Sequence, residues 1–207
     1  CRDDPVIANN RHHRQLGYYD PAAERFELID TCYGTHHLQF DRDGVVWTSG
    51  DDYVVGWFDP ARYDPARPAS LAAANGHSEV RLDTDGDGEA DRALVGFHYG
   101  VAPNLVDGSI WSAVTPGITS PAGEAGYLLR YDPPHDRHEA FAPPVPGMGP
   151  RGVDVDSQGR VWTALAGSGH LARFDRSRCE QTFGDGRQCA GGWTLWPTPG
   201  PAFQGLA

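Results

Sequence analysis

The stretch Gly34-Thr-His-His-Leu-Gln-Phe-Asp-Arg-Asp-Gly44-Val-Val-Trp47-Thr-Ser49 decides the fold, because the chain repeats its pattern twice more. The pattern returns as Gly100-Val-Ala-Pro-Asn-Leu-Val-Asp-Gly108-Ser-Ile-Trp111-Ser-Ala113. Its third copy is Gly149-Pro-Arg-Gly-Val-Asp-Val-Asp-Ser-Gln-Gly159-Arg-Val-Trp162-Thr-Ala164. Each copy is an alternating apolar run, a glycine turn, then Val or Ile before Trp. Period-two alternation on both sides of a tight turn predicts a β-hairpin.

A second phrase trails each tryptophan: Val55-Gly-Trp-Phe-Asp59, Tyr127-Leu-Leu-Arg-Tyr-Asp132 and Leu171-Ala-Arg-Phe-Asp175. An orphan copy, Leu16-Gly-Tyr-Tyr-Asp20, precedes the first hairpin. It reads as a third strand closing on an Asp-led turn. A fourth strand follows in Phe26-Glu-Leu-Ile29, around Phe141, and in Trp193-Thr-Leu-Trp196. The terminal Asp residues are spaced by 39, 73 and 43 positions. Two of these intervals match one four-stranded unit, and the long one carries an insertion. The expected fold is all-β: a β-propeller of four-stranded antiparallel blades, about three and a half blades of a larger ring of six or seven. As one partial domain, the expected divisions are residues 14–30 (outer half of a blade), 33–99 (a blade with insertion 60–95), 100–145, 147–198, and 199–207 starting another blade. The remaining blades of a parent protein are then expected partners. Trp47, Trp111 and Trp162 occupy equivalent places, which suits wedge packing between blades better than an aromatic binding ring.

Composition agrees. Glycine (26) and proline (17) are abundant among 207 residues, favouring turns and short strands over long helices. A net charge of −11 argues against nucleic acid, which needs a basic footprint. No apolar run is long enough for a transmembrane helix. Cys179 and Cys189 flank an Asp-Gly turn and read as a stapled loop, while Cys1 and Cys32 are left unassigned. Zinc is the competing reading, weakened by the lack of a close Cys-x-x-Cys pair. A disulfide implies an extracytoplasmic protein, whether secreted, periplasmic or on the cell surface.

The repeat resembles that of virginiamycin B lyase-like propellers, and related NHL-type repeats look similar. The strings Cys32-Tyr-Gly-Thr-His-His-Leu-Gln-Phe40 and Cys189-Ala-Gly-Gly-Trp-Thr-Leu-Trp196 resemble those of exported bacterial propeller proteins. The lyase resemblance implies a magnesium-assisted elimination with a histidine base and glutamate ligands at the channel mouth. His37 matches the histidine. The runs after tryptophan, Thr48-Ser49, Ser112-Ala113 and Thr163-Ala164, hold no glutamate.

Loops entering the inner strands converge on one end of a propeller's channel. His36, His37, Arg151 and Gln204 belong to or neighbour those loops, with His98 a further candidate. Histidine there suits a base or a metal ligand, and arginine suits a carboxylate. Strand alternation predicts that only one of His36 and His37 faces the channel. In the insertion, Asp83, Asp85, Asp87 and Asp91 follow the front of a calcium loop, but Leu94 stands where the closing glutamate belongs. That predicts at most a partial, structural calcium site; an acidic hairpin turn is the alternative. Two functions remain: an exported binding or scaffold module taking a small or polymeric ligand at its mouth, or a metal-assisted lyase or hydrolase completed from outside this chain.

Overall fold

The computed structural model describes residues 15–49, 53–94, 96–115 and 125–200. Its strands form a fan of successive antiparallel sheets. A hairpin of β1 (Gln15–Asp20) and β2 (Arg25–Asp30) comes first. The first full blade has strands β3 (His37–Phe40), β4 (Val46–Ser49), β5 (Val54–Phe58) and β6 (Asn75–Glu79), hydrogen-bonded in that order. A strand pair, β7 (Arg81–Leu82) and β8 (Arg92–Ala93), comes next. The second blade comprises β9 (Phe97–Pro103), β10 (Ile110–Thr115), β11 (Tyr127–Asp132) and β12 (Arg137–Phe141). The third comprises β13 (Pro150–Val155), β14 (Val161–Leu165), β15 (His170–Phe174) and β16 (Trp193–Pro197). Strands β3, β9 and β13 end their respective sheets and form the inner row. This is the propeller architecture that the repeat predicts.

The repeat's chemistry explains its spelling. In the first copy Asp41 Oδ1 accepts from the Asp43 and Val45 amides, holding the turn, while Oδ2 accepts from the Trp47 indole at 2.7 Å. In the third copy Asp156 does the same for Gln158, Arg160 and Trp162. The second copy routes the contact through Ser109, which donates to Asp107 and accepts from Trp111. Gly44, Gly108 and Gly159 all have φ near +80°, a conformation costly for other residues (φ 82°, 76° and 78°). Burial pushes the Asp156 carboxyl up, but donation from the Trp162 indole, the Arg160 side chain and two backbone amides outweighs it and holds the group well below the usual carboxylate range.

Alternation then sends the two faces of each blade to different neighbours. Trp47 packs with Val101, Ile110 and Leu129 of the second blade, and Trp111 with Val161, Phe174 and Trp193 of the third. Both are wedge residues, 7% and 1% exposed. Each apolar joint contributes about 25 cal/mol per Å² of surface removed from water, which is what keeps the blades side by side.

The segment 60–95 is not all insertion, and the blade boundary lies earlier than position 100. Strand β6 completes the first blade from within that segment, and β9 opens the second blade at Phe97. The first blade's third and fourth strands are joined not by a tight turn but by residues 59–74, which make short helical turns and α1 (Leu71–Ala74). Asn75-Gly-His-Ser-Glu79 has no apolar alternation, so nothing in it signals a strand. The true insertion is the β7–β8 pair. It docks parallel to the outer edge of β12 through His138↔Leu82.

Cys179 and Cys189 are disulfide-bonded, and Cys32 is also in a disulfide. The 179–189 loop folds over the second blade's outer strand: Ala142 N donates to Gly186 O, and Gln188 Nε2 to Ala140 O. No helix among the described residues is long and apolar enough to cross a membrane.

Candidate functional site

The starts of β3, β9 and β13 meet at one end of the inner row, where the repeat leads one to expect the channel mouth. His36 and His37 come from the first, Phe97 and Tyr99 from the second, and Arg151 from the third. His36 and His37 Nδ1 atoms lie 2.7 Å apart, and both rings contact Tyr99, with centroids at 5.2 and 4.7 Å. His36 also meets Phe97 edge-on at 5.1 Å. The Arg151 guanidinium lies over the Tyr99 ring, 4.6 Å from its centroid. Both histidines therefore reach the same place. Alternation holds only within β3, which begins at His37, and His36 precedes it.

Hydrogen bonding assigns the tautomers. His37 Nδ1 accepts from the Gly100 amide at 3.2 Å, so the proton of neutral His37 sits on Nε2. His36 is then the donor across the Nδ1–Nδ1 contact, and its Nε2 keeps the lone pair. His36, not His37, thus holds the available basic nitrogen. Burial first, and then the neighbouring His36, push the His37 pKa down.

His98 is not at the mouth. It is fully buried in the joint between the first two blades, opposite Val114 on the same face of the sheet. Its ring nitrogens have no hydrogen-bond partner among the described residues. Burial, reinforced by His138, pushes its pKa down to about 3. The sequence Phe97-His98-Tyr99 carried the signal: alternation puts the histidine on one face and the two rings on the other. Gln204 lies outside the described residues.

At the outer rim, carboxylate oxygens of Asp83, Asp85 and Asp87 lie within 4.8 Å of one another, the only such grouping of three potential ligands among the described residues. Asp83 is buried and accepts from the Gly86 and Gly88 amides. Asp91 is turned to another task, accepting from the Thr84 amide and hydroxyl. The disulfide loop forms the opposite wall: Gly184 N donates to Asp83 O, and the Phe183 ring occupies the space a side chain at Gly86 would need. Nothing in the sequence pairs these two loops.

A cleft of about 390 Å³ beside the acidic loop is lined by Arg81, Asp83, Asp132, Asp136 and His138 among others. Ser78 Oγ lies 2.9 Å from His138 Nε2 and donates to Asp136 at 2.6 Å. Three triad residue types meet here in the wrong order. The carboxylate takes the serine's own proton, so His138 must donate rather than accept, and the serine is not activated.

Among the described residues, the hydrogen bonds and ring contacts of His36, His37, Tyr99 and Arg151 include no carboxylate, and Ser49, Ser112 and Thr163 are buried, so these residues do not supply the carboxylate ligands that the magnesium of the lyase resemblance calls for. No protein-family model matches the chain, and no curated protein is similar at a significant level. Among solved structures, a streptogramin B lyase superposes with a TM-score of 0.57 at 13% identity, covering 90% of this chain and 49% of that one. A selenomethionine-substituted virginiamycin B lyase from Staphylococcus aureus gives 0.55 at 12%, covering 91% and 50%. A catalytically inactive form of that lyase with quinupristin gives the same values. The likeness is one of fold, and the chain spans about half the length of these propellers.

Proposed function

We propose that this chain is part of an exported β-propeller acting as a binding scaffold, with its ligand taken at the inner-strand mouth. One observation carries the reading. Three separate blades bring His36, His37, Tyr99 and Arg151 together, and among the described residues Arg151 has no carboxylate partner. The aromatic floor with a guanidinium and the His37 Nε2–H donor suits an anionic group on a small or polymeric ligand. The catalytic alternative keeps His36 as a base but finds no carboxylate among the described residues that contact it at the mouth, so the binding role is preferred. The disulfide-closed loop supports an extracytoplasmic location. Calcium at Asp83, Asp85 and Asp87 would brace the rim, a structural role remote from the mouth.

A thermal-shift screen of carboxylates, inorganic phosphate and neutral saccharides tests the mouth. Stabilisation by an anionic probe that is lost in Arg151→Ala supports the reading, while an equal shift in the variant overturns it. For the rim, Asp85→Ala should lower Tm in calcium and leave it unchanged in chelator. An equal loss under both conditions removes the metal.

The two ends of the fan are unfinished joints. The aromatic before each third-strand Asp faces the preceding blade, and Phe58, Tyr131 and Phe174 are 4%, 3% and 0% exposed. Its equivalent in the first hairpin, Tyr19, is 52% exposed, beside Phe26 at 76% and Leu28 at 66%. At the other end Trp162 is only half-buried, stacked 5.6 Å from the exposed Trp196. Apolar faces of this kind mark interaction surfaces; these two suit further blades of the ring.

A further inference from the structure

We infer that the cleft at the outer rim is a second ligand site, taking a small zwitterion with one carboxylate and one ammonium, of the size of a free amino acid. It shares no residue with the inner-strand mouth. Its volume of about 390 Å³ lies in the range of small-molecule sites. Two elements build it. The β7–β8 insertion gives Arg81 and Asp83, and the turn from β11 into β12 gives Asp132, Asp136 and Arg137.

The arginines supply the end for an anion. Strand β7 runs parallel to β12 with Leu82 opposite His138, so Arg81 stands beside Arg137, one residue earlier on each strand. Like charges side by side on neighbouring strands repel each other, and an anion between them removes that cost. Neither is neutralised from within the chain. Arg81 has only Glu79, at a loose 3.7 Å. Arg137 has no carboxylate partner among the described residues, although Asp132 is its cross-strand neighbour. A carboxylate placed between the two guanidiniums accepts charge-assisted hydrogen bonds from both.

The aspartates supply the end for a cation, and each is held off the arginines by donors of its own. Asp83 accepts from the Gly86 and Gly88 amides. Asp132 accepts from His135 Nδ1 at 3.1 Å and lies 3.6 Å from Arg130. Asp136 accepts from Ser78 at 2.6 Å and from Tyr131 at 3.1 Å. Both of those bonds end on Oδ1, and Oδ2 has no partner among the described residues. Asp136 is exposed and lines the cleft, so its Oδ2 is the acceptor for an ammonium. Elsewhere on this chain neighbouring charges close into ion pairs, as Arg25 with Glu27 and Arg67 with Asp64. In the cleft the two signs stay apart. A zwitterion satisfies both ends at once, whereas a simple anion or cation satisfies one end and is repelled at the other.

Isothermal titration of the whole chain in chelator tests this, with glycine, β-alanine and γ-aminobutyrate as zwitterions of increasing span. Acetate and methylammonium serve as single-charge controls, and the chelator removes any cation at Asp83, Asp85 and Asp87. At least one zwitterion should bind about tenfold or more tightly than either control. Arg137→Ala and Asp136→Asn should each weaken that binding about tenfold or more, while Arg151→Ala, at the mouth, should leave it unchanged. Arg137 is exposed, so its variant keeps the fold even where the loss of Asp136 loosens the joint. Absence of saturable binding by all three zwitterions overturns the inference. So does acetate or methylammonium binding as tightly as they do. Binding that is lost in Arg151→Ala but kept in Arg137→Ala assigns the ligand to the mouth and overturns it as well.

Discussion

The two complete joints among the described residues are built by the same repeat and filled with different chemistry. Between the second and third blades lies an aromatic seam, with Trp111, Phe141, Phe174 and Trp193 packed at centroid distances of 4.6 to 6.0 Å and the ion-paired Arg130, Glu139 and Arg176 at its edge. Between the first and second blades the same geometry encloses His98, Ser112 and Ser49, whose ring nitrogens and hydroxyls have no partner among the described residues. His138 Nδ1 is in the same state. The lesson is that the repeat sets how blades approach, through the Asp-held turn and the wedge tryptophan. It leaves the filling of the seam to positions the pattern does not constrain. The first joint therefore carries buried histidines, and the second an aromatic core edged by the Arg130–Glu139–Arg176 cluster.

Three measurements sharpen or break that contrast. The largest effect should come from Trp111→Ala, which empties the aromatic seam and costs about 3–5 kcal/mol by urea unfolding. A loss no larger than that of a surface substitution would mean that the seam does not hold the two blades together. Next is Cys189→Ser. The disulfide closes a short loop against this seam, and opening it should cost about 3 kcal/mol while exposing the Cys179 thiol to alkylation without reductant. A thiol already reactive in the wild type would remove the staple.

The smallest effect distinguishes the polar joint by its slope. Burial holds His98 at about 3 and His138 at about 4 in the folded chain, against about 6.5 in the unfolded one. Over that window the unfolded state binds more protons. Stability is therefore full above about pH 6.5 and falls as the solution is acidified, by about 1.4 kcal/mol per pH unit for each histidine. His98→Leu should halve that slope, measured as the midpoint of urea unfolding from pH 7 to 4. An unchanged slope would place the acid sensitivity elsewhere.

The mouth was partly legible in advance. His36, His37 and Arg151 stand at strand entries that the repeat marks, and they do converge. Tyr99 and Phe97 were hidden because the second copy enters through aromatics instead of histidines, and His98 between them drew attention to the wrong face. The rim was less legible. The Asp-x-Asp-x-Asp spacing signals the acidic loop, yet its wall comes from Phe183 and Gly184, about a hundred residues later.

The sequence alone determined the blades: period-two alternation, the Asp-x-x-Gly turn and the tryptophan after it are local signals that act over a few residues. It also determined the short disulfide, which closes on itself. Only the tertiary structure decided which tryptophans are buried, which loops share a wall, and which histidine keeps a free lone pair. Those outcomes depend on what lies across a joint, and residues brought together by the stacking of sheets carry no mark of one another along the chain.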